Sequence, residues 1–251
     1  MIKNGDIIIS NLFIGSTQVS KVYLGDVKVW PIVTETNYVT FTAQQDNSSI
    51  GLNKLSTNQT LEYSNDAVTW NTFDKSKNIS LNTGDKVYVR GKLSADNTDS
   101  NYTQFTMSGK IAASGNTNSI WDYENLDAPL KTDCGYRLFY DCSSLTSAPE
   151  LPATTLANSC YWNMFYGCTS LTAAPELSAT TLVDSCYYGM FYGCSNLNYI
   201  KCLAVNGINT TYSTYNWVSG VPSNGTFVKA SSASWPAGNN GIPSGWTTQD
   251  A

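Results

Sequence analysis

At 251 residues, with 41% apolar and 12% aromatic residues, the chain can hold two domains with well-packed cores and is not a disordered polymer. It contains no histidine and carries a formal charge of -5. This removes the usual general base near neutral pH, any Ser/His or Cys/His pair and the commonest metal ligand, and leaves no basic patch for phosphates. Nucleic-acid binding and most hydrolase or zinc chemistry are therefore not expected, and a two-carboxylate glycosidase survives as a runner-up. The first residues lack the apolar run and cleavage site of a secretory signal, and nothing approaches the ~18 apolar residues that span a bilayer, so no membrane insertion is expected.

Residues 1–33 contain a short duplication. LFIGSTQVSK at 12–21 is echoed by VYLGDVKVWP at 22–31, with Gly15 matching Gly25 and Val19 matching Val29. Each copy is a β-run, a glycine turn and a return, which predicts small hairpins that lean on the next domain, another copy or a larger assembly. Residues 34–125 alternate through NYVTFTA, TLEYSNDAVTWNTF, NISLNTGDKVYVRGKL and YTQFTMSGKIAAS, with turn signals at 64–66 and 82–85. In this stretch Val87 and Val89 are expected on one face of a strand and Tyr88 and Arg90 on the other. The prediction is a small antiparallel β-sandwich, with Trp121 and Tyr123 placed to seal its junction with the adjoining C-terminal region.

Residues 126–204 carry a 26-residue repeat: Cys134, Cys160 and Cys186 recur in register, as do Cys142, Cys168 and Cys194, Phe139, Phe165 and Phe191, and Leu145, Leu171 and Leu197. Such a period indicates a stacked solenoid. If CYWNMFYGC is a short helix, Cys160, Met164, Phe165 and Cys168 form its inward stripe and Trp162 and Tyr166 face outward. A brief strand follows, interrupted at Pro149 and Pro175, and Leu156 and Leu182 return inward. Residues 205–251 are expected to form an irregular cap, with Trp217, Phe227, Trp235 and Trp246 plugging the stack. The predicted class is mainly β with short helices: hairpins, antiparallel β-sandwich, short leucine-rich-repeat-like solenoid and cap.

Several residues invite sharper chemistry. The cysteines are expected to be buried free thiols, because C-x7-C is not a metal spacing and cysteines eight apart on a helix are too distant for a disulfide. Glu150 and Glu176 recur one repeat apart, with Cys202 at the third equivalent position, and are expected to be solvated repeat positions rather than a catalytic pair. The loop from Asp96 to Asn101 lacks the spacing of a calcium loop and is expected to be a turn. The strongest functional clue is two aromatic ladders, Tyr136, Trp162 and Tyr188 in one and Tyr140, Tyr166 and Tyr192 in the other. Exposed rows of rings suit sugar rings or a protein partner, unless they pack on one another.

The string MFYGCTSLTAAPEL, with F-x-G-C-x-S-L at its centre, resembles the BspA-type leucine-rich repeats of bacterial surface proteins over about 70 residues. It departs from that family in using Met or Leu for the alanine and a proline-interrupted APEL for the strand. TLEYSNDAVTW through GDKVYVRG and the ending GIPSGWT resemble proteins of gut Bacteroides-type bacteria and their crAss-like phages. VYLGDVKVW resembles short modules of phage fibre and tail proteins. These resemblances imply a virion protein, fibre or surface appendage: the hairpins attach it to other virion proteins or to itself, as a homo-oligomer such as a trimer, and the repeats bind a host-surface glycan or protein. A bacterial cell-surface adhesin is the alternative, and neither enzyme activity nor a cofactor is expected.

Overall fold

The computed structural model describes residues 37–251, together with four short strands in the segment before them. Of these, β1 (Phe13–Ile14) pairs antiparallel with β2 (Thr17–Gln18), and β3 (Val22–Leu24) with β4 (Val27–Trp30). These are the strands expected from the ten-residue duplication. The attachment role expected of residues 1–33 lies outside the described residues.

The chain is mainly β and is arranged in several sheets. From residue 39 the strands are β5 (Val39–Ala43), β6 (Ser48–Lys54), β7 (Gln59–Ser64), β8 (Asn71–Thr72), β9 (Asn78–Leu81), β10 (Lys86–Leu93), β11 (Gln104–Ser108) and β12 (Ile111–Ser114). Strands β12, β5, β10, β7 and β8 are neighbours in one sheet, and β11, β6 and β9 form another. Alternation decides what is buried: Val39, Phe41, Val87 and Val89 are sealed from solvent, and Val87 lies opposite Phe41 and Val89 opposite Val39. On the other face Arg90 pairs with Glu62 at 2.7 Å, its guanidinium 4.0 Å from the Trp70 ring and 4.2 Å from that of Tyr123. Tyr123 thus covers a cation rather than the junction, whereas Trp121 is buried there and donates from Nε1 to the Cys134 carbonyl at 3.1 Å.

The helix expected in each repeat does not form: among the described residues the sole α-helix is α1 (Asn118–Trp121). Residues 134–142, 160–168 and 186–194 are instead ribbons of overlapping turns. Alternate amides close turns within the ribbon, as when Tyr136, Leu138 and Tyr140 donate to the carbonyls of Asp133, Gly135 and Arg137. The intervening amides donate to the next repeat: Gly135 to Cys160, Arg137 to Trp162, Phe139 to Met164 and Asp141 to Tyr166. Every backbone donor in these stretches is thereby used, half locally and half between copies.

Backbone handedness explains the ribbon. Every fourth residue has positive φ: Asp133, Arg137 and Asp141, then Ser159, Asn163 and Gly167, then Ser185, Gly189 and Gly193. A left-handed residue at each fourth step breaks the run of right-handed residues that an α-helix requires, and Gly, Asn and Asp tolerate it best. The ribbon therefore has a period of four, and residues i, i+1, i+4, i+5 and i+8 line up on the core side. Cys160, Tyr161, Met164, Phe165 and Cys168 are all buried. The inward stripe expected from a helix is thus occupied by the right residues, and Tyr161 and Tyr187 join it.

The pattern continues past residue 205. Ser185, Tyr187, Gly189, Phe191 and Gly193 donate to Thr211, Ser213, Tyr215, Trp217 and Ser219, and Tyr212, Asn216 and Gly220 have positive φ. Residues 212–221 are therefore a fourth, divergent ribbon. On the opposite side β13 (Leu145–Ser147) pairs parallel with β12, and β14 (Tyr199–Cys202), β15 (Thr226–Lys229) and β16 (Thr247–Asp250) form a parallel sheet. The segment expected to be an irregular cap thus supplies two strands and a ribbon. Between β13 and β14 the second repeat contributes only isolated bridges, at Ala173, Leu177 and Thr181, on either side of Pro175.

One core runs through the molecule. Phe41 meets Phe105 at 5.2 Å, and rings then follow at 5.4 Å (Phe105–Phe139), 5.4 Å (Phe139–Phe165), 5.7 Å (Phe165–Phe191) and 6.2 Å (Phe191–Trp217). The far end is closed by Trp217, which stacks on Trp235 at 5.3 Å and donates from Nε1 to Gly241. Phe227 packs against both rings, and Trp246 donates from Nε1 to Pro222.

Candidate functional site

The outer face of the ribbons carries both aromatic ladders. Ring centroids are 5.7 Å apart for Tyr136–Trp162 and 4.6 Å for Trp162–Tyr188, and the row extends at each end, to Tyr102 (5.0 Å) and to Tyr215 (5.1 Å) and Tyr212 (5.7 Å). In the second ladder Tyr140, Tyr166 and Tyr192 are stacked, with 4.7 Å at both steps and interplanar angles of 11° and 2°. Parallel stacking consumes ring faces, so the interior members present edges and hydroxyls to solvent.

The six residues are not equivalent. Tyr136 is only 6% exposed, shut in by Tyr102 and by Arg137, whose guanidinium lies 5.2 Å from the Tyr136 ring and 4.8 Å from Tyr140. Burial pushes the Tyr136 phenol up from its ordinary value. It is a packing residue, which corrects its expected outward position. Trp162, Tyr166, Tyr140 and Tyr188 are half-buried. Toward the fourth ribbon the exposure rises: Tyr192 is 36% exposed, Tyr215 37% and Tyr212 64%. Gly193 donates to Ser219 as Gly167 does to Tyr192, so serine takes the next place in the second ladder and the outer face of Tyr192 meets no further ring. Tyr212 and Tyr215 were not singled out from sequence, although Y-N-W-V-S-G at 215–220 matches Y-G-M-F-Y-G at 188–193 in position.

The other candidates resolve into structure. All seven cysteines are free and buried. Cys142, Cys168 and Cys194 donate from Sγ to the carbonyls of Phe105, Phe139 and Phe165, at 3.5, 3.1 and 3.0 Å. Burial pushes the Cys142 and Cys194 thiols up to about 12, which keeps them protonated as donors. Glu176 pairs with Lys201 at 3.0 Å, while the Glu150 carbonyl accepts from Thr117. Leu177 bridges to Cys202, so Cys202 belongs with the core leucine and Lys201 stands opposite Glu176. This shifts by one residue the equivalence expected from the 26-residue period. The 96–101 loop is a turn closed between Thr98 and Asn101, with Asp96 accepting from the Thr132 amide. Among the described residues no three His, Cys, Asp or Glu are arranged to hold a metal.

No family model matches the chain, and no curated protein or solved structure is detectably similar to it.

Proposed function

We propose that this chain is a structural adhesion protein of a phage particle, a fibre or surface appendage that displays a short solenoid of leucine-rich-repeat type on a β-sandwich and binds a host-surface glycan. One observation carries the reading. Exposed rings gather at one end of a rigid stack, where Tyr192 has a ring face free of aromatic cover and Tyr215 and Tyr212 stand beside it in the adjoining ladder. A sugar presents an apolar C–H face that an exposed tyrosine face accepts, and neighbouring Asn216 and Ser219 add polar groups on the same ribbon. Because the ladder is held by backbone bonds between every pair of ribbons, little ordering entropy is lost on binding.

The placement on a phage particle rests on the resemblance of the duplicated hairpins to fibre modules and of the repeats to bacterial surface proteins. Glycan-array binding of the intact chain tests the ligand: Tyr192→Ala and Tyr215→Ala should each weaken binding about tenfold, and Tyr140→Ala should not. Retained binding in both variants would move the site off the ribbon end. Immunogold labelling of purified particles tests the location, and labelling confined to host outer membranes would favour the bacterial adhesin.

A further inference from the structure

The β-domain carries a second polar surface, remote in sequence from the ribbons. In the sheet of β11, β6 and β9, Ile50 and Leu52 of the central strand are buried in the core, while Ser49 and Gly51 alternate with them. Ser49 and Ser108 hydroxyls are 2.8 Å apart, and Thr106 and Asn78 stand beside Gly51. A Cβ on Gly51 would meet the Lys77 carbonyl at 3.0 Å and Asn78 Oδ1 at 3.4 Å, so the glycine, itself buried, lets the segment entering β9 lie close against β6. Before β9 the Asp74 carboxylate accepts from the Ser76 amide and hydroxyl, which fixes the turn that carries Lys75 and Lys77. These residues line a groove of about 270 Å³.

Charge and backbone both narrow the occupant. In a chain of net charge -5, Lys75 and Lys77 form no ion pair among the described residues, although Asp74 lies near enough to Lys77 to feel its charge. Strand β6, the central strand under the groove, is hydrogen-bonded on both sides and cannot take up a peptide as a further strand; only β9 and β11 have outer edges. The groove lining holds hydroxyls, an amide and two ammonium groups, with Leu52 and Met107 as apolar members, but no aromatic ring. That set matches a ring with several hydroxyls and a carboxylate, recognised by hydrogen bonds and charge instead of stacking. We propose that this groove is a second glycan site, selective for saccharides whose rings carry carboxylates.

Titration calorimetry of the full chain with an oligogalacturonate tests the site. Binding should weaken about tenfold in Lys75→Ala/Lys77→Ala and about fivefold in Thr106→Ala/Ser108→Ala, and stay within about threefold in Lys75→Arg/Lys77→Arg. Uncharged galactan of the same length should bind at least about tenfold more weakly, and Tyr192→Ala and Tyr215→Ala should leave oligogalacturonate binding unchanged. No binding by the wild type overturns the proposal. So does equal or tighter binding of dextran sulfate together with insensitivity to Thr106→Ala/Ser108→Ala, because attraction would then be charge alone. Loss on changing Tyr192 or Tyr215 would assign the acidic sugar to the ribbon end instead.

Discussion

The two ends of the ribbon stack are built from the same positions and do opposite things with them. At the first ribbon the β-domain supplies a roof: Phe105 stacks on Phe139 inside, and Tyr102 with Arg137 covers Tyr136 outside. At the fourth ribbon the inside is closed by Trp217 and Trp235, but outside Tyr212 and Tyr215, together with Tyr192 of the third ribbon, are left open. A repeat position therefore fixes which way a side chain points, and its neighbours along the stack decide whether it is covered or left open.

If the two interiors are equally closed, deleting either end plug should cost alike. Phe105 is 1% exposed and Trp217 fully buried; replacing either by alanine removes a large aromatic and should cost about 3–5 kcal/mol in chemical denaturation. A Trp217→Ala cost below about 1 kcal/mol would mean that the fourth ribbon frays independently and that the far end is a loose cap.

How much of the fold was legible depends on the physics of period four. The inward Cys, Met and Phe of each repeat stand at i, i+4 and i+8, a spacing that a helix and a four-residue ribbon share, so the core stripe could be read while the helix was wrong. Tyr161, 1% exposed, does not separate the two, since at about 100° per residue it too would fall between Cys168 and Phe165 on a helix's inward arc. The deciding signal lay in the residues tolerant of positive φ at every fourth place, Asn163 and Gly167 or Gly189 and Gly193; Arg137 and Tyr212 hid it by occupying that conformation without the usual side chain. Strand β6 went unread because Gly51 and Asn53 depress strand propensity while Ile50 and Leu52 bury it. The six ladder residues were legible as a set, but Tyr136 owes its burial to Tyr102, 34 positions earlier in the chain, a contact that no local pattern encodes.

The outer faces give a smaller and sharper contrast. Tyr136→Ala should cost about 3 kcal/mol, because it opens a cavity between Tyr102 and Trp162, whereas Tyr192→Ala should cost less than about 1 kcal/mol. Thermal melts of the two variants read this difference directly. Equal costs would place Tyr192 among the packing residues and remove the distinction on which the proposed binding end rests.

The smallest effect is confined to the roofed end and depends on pH. Asp133 is half-buried where the β-domain meets the first ribbon, and its carboxyl is raised from 3.8 to about 6, first by burial and then by Asp99, with the Ser159 hydroxyl acting the other way and Asp96 adding a little. A carboxyl held above its unfolded value binds its proton more tightly in the folded chain. It costs nothing below about pH 4, where both states are protonated, and the cost grows as pH rises toward about 6 and persists above it. Solvent screening at a partly exposed site limits that cost to about 1 kcal/mol. Asp133→Asn keeps a residue that tolerates the positive φ of 53° while removing the charge, so the variant should equal the wild type near pH 4 and exceed it by about 1 kcal/mol at pH 7. Denaturation midpoints measured at half-unit steps from pH 4 to 7 check this. Asp99→Asn should recover part of the gain by relieving the same repulsion, and parallel wild-type and Asp133→Asn profiles would show that the roof imposes no electrostatic penalty on the ribbon it covers.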